Sequence, residues 1–243
     1  MKRSMALSDL AMMALATALG VGSVILFATS GAIWRISIQW PESTVLLWDA
    51  ALSLAFFLQH SGMVRRRFRA RLAPVIPDRY QGAFYTIASG LVLALVALLW
   101  QRSGIYLLQL QGLPLWIARS CTALALAFFV WGAIALRPFD PLGLAPIRAH
   151  LQGKPYQSVP FIVRGPYRWV RHPLYSSILL LFWSTPELTA DRLLFNLLWT
   201  GWIIAGTVLE EKDLTAQFGD AYRNYQQKVP MLIPWRGRVA MAD

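Results

Sequence analysis

Charge is scarce in this chain, and negative charge scarcer still. Charged residues make up 14% of the 243, with only 12 acids against 23 lysines and arginines. Cysteine is nearly absent. Cys121 stands alone inside an apolar run, and one thiol makes neither a disulfide framework nor a zinc cluster, so it reads as packing and no metal is expected. Signature motifs are missing as well: no H-E-x-x-H, P-loop or G-x-S-x-G occurs. Gly20 and Gly22 form a G-x-G, but Ile25 holds the third glycine's place and no strand precedes it, which rejects a Rossmann site.

What the chain does have is apolar surface. Hydrophobic residues reach 56%, eleven are tryptophan, and mean hydropathy is +0.46. A soluble core cannot use that much apolar area, whereas a bilayer can. Net charge is +11. Such a balance suits nucleic acid in a soluble protein, but here the bases lie between apolar segments. The expected electrostatic partner is therefore the lipid of an anionic leaflet, not nucleic acid.

Six apolar segments can be marked: Leu10–Ile33, Val45–Val64, Phe84–Trp100, Leu115–Leu136, Leu174–Trp183 and Leu193–Leu209. Loops alternate in basic content. Met1–Asp9, Arg65–Arg79, Arg137–Arg171 and the tail from Lys212 hold nineteen of the 23 bases; the intervening loops hold Arg35, Arg102 and Arg192, and Arg119 sits near the outer end of the fourth span. The positive-inside rule then predicts an all-α membrane bundle of about six spans with both termini cytoplasmic and a short helical C-terminal tail. A signal peptide is the rival for the first segment, but that run is long for an h-region and Asp9 interrupts its approach, so a retained span is expected. Residues 1–136 read as a four-span region and 137–243 as the region carrying the chemistry, within one integral membrane domain.

The scarce charge concentrates in RGPYRWVRHPLYSS, Arg164 to Ser177. The segment after it is short: from Leu174 to Pro186 is 13 residues, ~20 Å of helix against a hydrocarbon core of ~30 Å. It either starts below the membrane surface or makes a shallow hairpin with the sixth. Pro173 suits a first helical turn, which puts His172 at the helix N-terminus. Glu210 and Glu211 close the sixth segment, and Tyr222 and Tyr225 follow one helical turn apart. Two antiparallel helices on a short loop bring His172 and the glutamate pair to one depth. Singly, each residue has a structural explanation: arginines for topology, a glutamate to neutralise one of them, tyrosines as interfacial anchors. His60 and His150 stay with that explanation. Asp49 is expected near the outer end of the second span, reaching water. Together, the cluster offers cations for a carboxylate or phosphate, acids for an ammonium or ribose, and aromatic faces for adenine or a sulfonium. Both S-adenosylmethionine and NADPH satisfy that description.

At GPYRWVRHPLY, followed by EEKDLTAQFGDAYRNYQQKVPMLIP, the chain resembles the isoprenylcysteine carboxyl methyltransferase superfamily of membrane methyltransferases. An R-H-P-x-Y element, a Glu-Glu pair, F-G-x-x-Y-x-x-Y and V-P-x-x-I-P stand in order between Arg164 and Pro234. LQHSGMVRRRF, RPFDPLG and LLFWSTPELTADRLLF look like bacterial methanethiol S-methyltransferases and NnrU-like membrane proteins. One departure is Ser176–Ser177, where glycine is common in the superfamily. The resemblance implies S-adenosylmethionine as cofactor, a bacterial inner-membrane location and a small apolar or lipidic methyl acceptor. Carried over residue by residue, it places Gly165, Pro166, Tyr167, Arg171, His172, Tyr175, Glu210, Glu211, Tyr222 and Tyr225 around the cofactor, with Arg171, His172, Glu210 and Glu211 closest to the chemistry. Adjacent helix positions diverge by about 100°, so one glutamate is expected to face the site while the other pairs with a base.

A thiol acceptor must lose its proton, either because a basic pocket of Arg171 and His172 lowers its pKa or because a glutamate accepts the proton. Rival readings are an isoprenylcysteine carboxyl or phospholipid amine methyltransferase, an NADPH-dependent membrane reductase of similar fold, and a non-enzymatic NnrU-like protein. Arg171→Ala and Glu211→Ala are both expected to lower turnover at saturating acceptor; unchanged turnover in both would remove the mechanism.

Overall fold

A computed structural model describes residues 2–33, 38–157 and 160–239; Arg35, between the first and second apolar segments, lies outside them. The described chain is mostly helical: α1 (Lys2–Ile33), α2 (Glu42–Val64), α3 (Arg66–Leu72), α4 (Asp78–Leu99), α5 (Gly112–Ala135), α6 (Ala145–Leu151), α7 (Pro173–Trp183), α8 (Ala190–Phe218) and α9 (Asp220–Lys228). A 3-10 turn covers Gly165–Arg168, and two short strands, β1 (Tyr106–Gln109) and β2 (Glu187–Thr189), pair antiparallel. The strands depart from the all-α expectation. They pair the stretch leading into α5 with the α7–α8 connection, and Leu110 and Ala190 add backbone bonds to Pro186 and Ile105 at 2.9 and 3.0 Å.

Among the described residues, four helices are long and apolar enough to cross a bilayer: Ala6–Ala28 within α1, α4, α5 and α8. The chain is an integral membrane protein. α2 matches them in length, with 23 residues, but Glu42, Asp49, Gln59 and His60 dilute its apolar character. α7, with 11 residues, extends only about 16 Å.

The chain forms two compact units, one from the described residues of 1–103 and 140–158, the other from those of 104–139 and 159–239. α5 packs on α7 and on the 3-10 turn.

In the first unit, α1 and α4 approach so closely that a Cβ on Gly90 would lie 2.5 Å from the Leu19 carbonyl oxygen, and one on Gly20 would lie 2.6 Å from Thr86 Cγ2. Small residues let membrane helices make such backbone contact. Gly20 is thus a packing residue, while Gly22 faces open space. Asp9 is buried in α1; its carboxylate accepts the Tyr80 hydroxyl and lies 3.4 Å from Arg79 Nε and 3.9 Å from His150 Nε2. His60 packs against Phe56 and bonds the Tyr85 hydroxyl at 2.7 Å.

Asp49 corrects the expectation. It is fully buried and does not reach water. Its Oδ1 accepts the Gln101 backbone N–H at 2.9 Å, beside Trp48 Nε1 donating to the Leu99 carbonyl at 2.9 Å. The last carbonyls of a helix lack intrahelical donors, and α2 supplies side chains where α4 ends.

In the second unit, α5 and α7 meet at Gly132, whose Cβ would lie 2.9 Å from Leu174 Cδ2, and at Thr122, whose hydroxyl is 2.8 Å from that of Ser184. Phe195, Asn196, Trp199, Ile203, Thr207 and Glu211 are buried along α8 at mostly i+3 and i+4 steps, one face of the helix. α8 continues past Leu209 to Phe218, so the glutamate pair is helical.

Gly90→Leu is expected to force α1 and α4 apart and cost about 1–3 kcal/mol, read as a lower midpoint of thermal unfolding in detergent. Gly22→Leu, at the open position, is the control expected to leave the midpoint in place.

Candidate active site

Pro173 opens α7 and His172 caps it. This suits the sequence, since proline's missing N–H is not needed in a first turn. The chain reaches that point through the Gly165–Arg168 turn. Gly165 has φ +57°, and a Cβ there would lie 2.9 Å from Ala135 Cβ and 3.3 Å from Trp131 Nε1. Glycine is the residue that tolerates both the left-handed backbone and the close approach. Pro166 is buried behind it, and Arg164 Nε donates to the Ala135 carbonyl at 2.5 Å.

The tail then returns along this entrance. Arg171 and His172 N–H groups donate to the Pro230 and Met231 carbonyls at 2.9 and 3.1 Å. Ser176 Oγ donates to the Leu232 carbonyl at 2.7 Å. Ser176, the departure noted in the sequence, therefore fastens the tail. Ser177 is buried and bonds back to the Pro173 carbonyl at 2.8 Å.

At the centre is an ion pair. Arg171 Nε and Nη2 donate to Glu211 Oε1 and Oε2 at 2.5 and 2.9 Å, a bidentate fork. Arg171 Nη1 donates to the Gln226 carbonyl at 3.0 Å and to the Val229 carbonyl. Glu211 also lies 3.1 Å from His172 Nε2, accepts Gln226 Nε2 at 3.0 Å and meets the Tyr222 hydroxyl at 3.5 Å. Four side chains thus converge on one buried carboxylate. Glu211 is the glutamate paired with a base.

Glu210 points elsewhere. Its side chain is 43% exposed, against 11% for Glu211. Glu210 Oε2 accepts the Tyr175 hydroxyl at 2.8 Å and lies 3.9 Å from His172 Nδ1. The His172 and Tyr175 rings are parallel to within 7°, with centroids 5.5 Å apart. His172 is therefore held between the two glutamates, Nε2 toward the buried one and Nδ1 toward the accessible one. This divergence is what the 100° step between neighbouring helix positions requires.

Tyr222 and Tyr225, expected beside the cofactor, are buried in the tail's own core. They pack with each other and edge-on to Phe161, and Tyr225 donates to the Tyr167 carbonyl at 2.6 Å. Burial raises the phenol pKa values of Tyr167, Tyr222 and Tyr225 well above the ordinary tyrosine range, which keeps all three hydroxyls protonated. Gln226 and the carbonyls of 226 and 229–232 were missed by sequence reasoning. Gln226 shares a helical face with Tyr222, four residues earlier, which is the signal that could have found it. The carbonyls carry no signal, because any residue type supplies one.

Chemically, the cluster presents a half-exposed carboxylate, an imidazole nitrogen and a tyrosine ring on a rigid base. No group of three or more histidine, cysteine or acidic side chains placed to hold a metal occurs among the described residues.

No family model matches the chain, and no solved structure matches it. Curated proteins do. A methanethiol S-methyltransferase of Pseudomonas sp. (strain GM41(2012)) is 37% identical over 214 residues, covering 83% of this chain and 77% of that protein. One from Mycobacterium tuberculosis (strain ATCC 25618 / H37Rv) is 30% identical, with 82% of each chain covered. Nurim of Rattus norvegicus is a more distant relative, 28% identical over 70% of this chain.

Glu211→Gln leaves the buried Arg171 without its counter-charge and is expected to cost about 3–5 kcal/mol. Tyr225→Phe removes only the bond to Tyr167 and is expected to cost about 1–3 kcal/mol. Thermal unfolding in detergent reads both, with the larger loss at Glu211.

Proposed function

This chain belongs to the methanethiol S-methyltransferase family, and from that premise we propose that it methylates a small thiol, methanethiol, to dimethyl sulfide with S-adenosylmethionine as donor. The observation that carries the reading is His172 fixed between a buried glutamate and an accessible one, at the N-terminus of a short apolar helix.

The residues fit the donor. Glu210 Oε2 is bonded to Tyr175, while no hydrogen bond from a described residue reaches Oε1, leaving an open acceptor for an ammonium or ribose hydroxyl. The Tyr175 and His172 rings supply faces for a cation or an adenine, and the Gly165–Pro166–Tyr167 turn supplies a close backbone. When bound, S-adenosylmethionine supplies an electrophilic methyl on sulfur.

The chain's own groups then divide the remaining work. Arg171 spends all three guanidinium nitrogens on Glu211 and on tail carbonyls, so its role is to brace the site. Tyr222, Tyr225 and Gln226 extend that brace. His172 and Glu210 are left to handle the acceptor. In the neutral ring, donation from Nε2 to Glu211 leaves Nδ1 as the basic nitrogen. The thiol proton passes to Nδ1 or to Glu210, 3.9 Å away, and the thiolate is the competent nucleophile. The rest is positioning and exclusion of water.

The finer membrane reading belongs here too. Loop charge supports six crossings, with α2 and the α7–α8 hairpin joining the apolar helices, both termini cytoplasmic and the bacterial inner membrane as location. Residues 137–243 carry the chemistry and 1–136 chiefly anchor it. A small apolar acceptor concentrates in the bilayer, which gives the membrane location a purpose.

Membranes containing the wild type, supplied with S-adenosylmethionine and methanethiol, are expected to release dimethyl sulfide. His172→Ala and Glu210→Gln should each lower kcat about 10²–10⁴-fold. Headspace sulfide measures it. No product, with S-adenosylmethionine still raising the melting temperature, would redirect the search to prenylcysteine or lipid amines. Stabilisation by NADPH alone would replace the reading with a reductase.

A further inference from the structure

The tail between Val229 and Val239 is tethered at both ends and exposed in the middle. At one end, Pro230, Met231 and Leu232 bond through their carbonyls to Arg171, His172 and Ser176. At the other, the Val239 N–H donates to the Arg168 carbonyl at 2.9 Å, and Val239 packs against the Tyr222–Tyr225–Val229 core. Between these tethers the chain turns outward. Trp235 N–H bonds the Ile233 carbonyl at 2.9 Å and Gly237 N–H the Pro234 carbonyl at 3.3 Å, with Gly237 at φ +67°.

The turn exposes what a loop in water normally hides. Ile233 and Trp235 are each 67% exposed, and Pro234 between them is exposed as well. Arg236 and Arg238 follow on the exposed side, and residues 228–239 contain three bases and no acid. Arg236 Nη1 donates to the Gln227 carbonyl, which holds it beside the turn. The tethers also fix the turn's depth. Leu232 bonds Ser176, in the first turn of α7, so Ile233 and Trp235 stand level with the start of an apolar helix. A tryptophan and an isoleucine at that level, backed by arginines, match the headgroup zone of an anionic leaflet in both polarity and charge.

We propose that the Ile233–Arg238 turn is a membrane anchor, with Ile233 and Trp235 seated among the lipid headgroups and Arg236 and Arg238 set against their phosphates. The anchor ties the brace around Arg171 to the bilayer surface. It rests on the turn's own geometry and is independent of the reaction catalysed.

The test uses the full chain in a Cys121→Ser background, which leaves no other thiol. Pro234→Cys keeps Ile233 and Trp235 in place and takes a nitroxide label; Asp220→Cys, at a side chain 86% exposed on α9, is the aqueous reference. Protein is reconstituted in phosphatidylcholine with and without phosphatidylglycerol. At 234, relaxation by oxygen is expected to exceed relaxation by a water-soluble nickel chelate several-fold relative to 220, and to rise further with phosphatidylglycerol. Ile233→Ser with Trp235→Ser should return the label to water, and Arg236→Gln with Arg238→Gln should remove the phosphatidylglycerol effect. A label at 234 as open to nickel as at 220 overturns the anchor. Protection from both relaxers overturns it too, and assigns the turn to a protein partner.

Discussion

The fork between Arg171 and Glu211 is the contact on which the second unit depends. A buried carboxylate without partners is too costly to keep charged, and a buried guanidinium is no cheaper. Each is tolerated because the other completes it, and because the tail's carbonyls take the arginine's remaining N–H. That single fork joins the start of α7, the C-terminal part of α8 and the return of the tail. Removing the arginine would leave a charge inside the protein and release three segments together. The same constraint gives His172 its orientation, since Glu211 Oε1 serves both the guanidinium and the imidazole.

The membrane sets the second constraint. Hydrocarbon offers no partners for backbone or side-chain polar groups, so a polar residue inside a span draws what partners it has from the protein. Asp49 accepts an N–H just beyond the end of α4, and Thr207 bonds its own helix at the Ile203 carbonyl. Water was the partner expected for Asp49, because sequence shows depth along a helix but not which side of it faces a neighbour. The short α7 answers a related question. Eleven residues do not cross alone; α7 ends in a connection that pairs with β1, and α8 makes the long passage beside it.

Much of the site was legible because its signal is local. R-H-P marks a helix start through proline's geometry, and a Glu-Glu pair on a helix must diverge. With the short connection that makes the two helices antiparallel, those facts predict a histidine near one glutamate and a base near it too. The motif's aromatic residues were less legible, for a physical reason. Tyr222 and Tyr225 have both an apolar body and a polar tip, so the same side chains suit a cofactor wall or a buried core, and only packing decides between them. Gln226 lacked a distinctive chemistry, and the Pro230–Leu232 carbonyls have no sequence signature at all.

The sequence by itself determined the class of the protein: apolar composition, alternating basic loops and the ordered motif from Arg164 to Pro234 point to a helical membrane protein with charge concentrated in one stretch. Those properties depend on residue identity and on neighbours a few positions away. The tertiary structure alone decided which glutamate is buried, which way His172 faces, that the tail straps the start of α7, and that Ile233 and Trp235 are left outside. These outcomes depend on contacts between residues as far apart in sequence as Arg168 and Val239, and no local pattern encodes which of two equivalent partners lies closer.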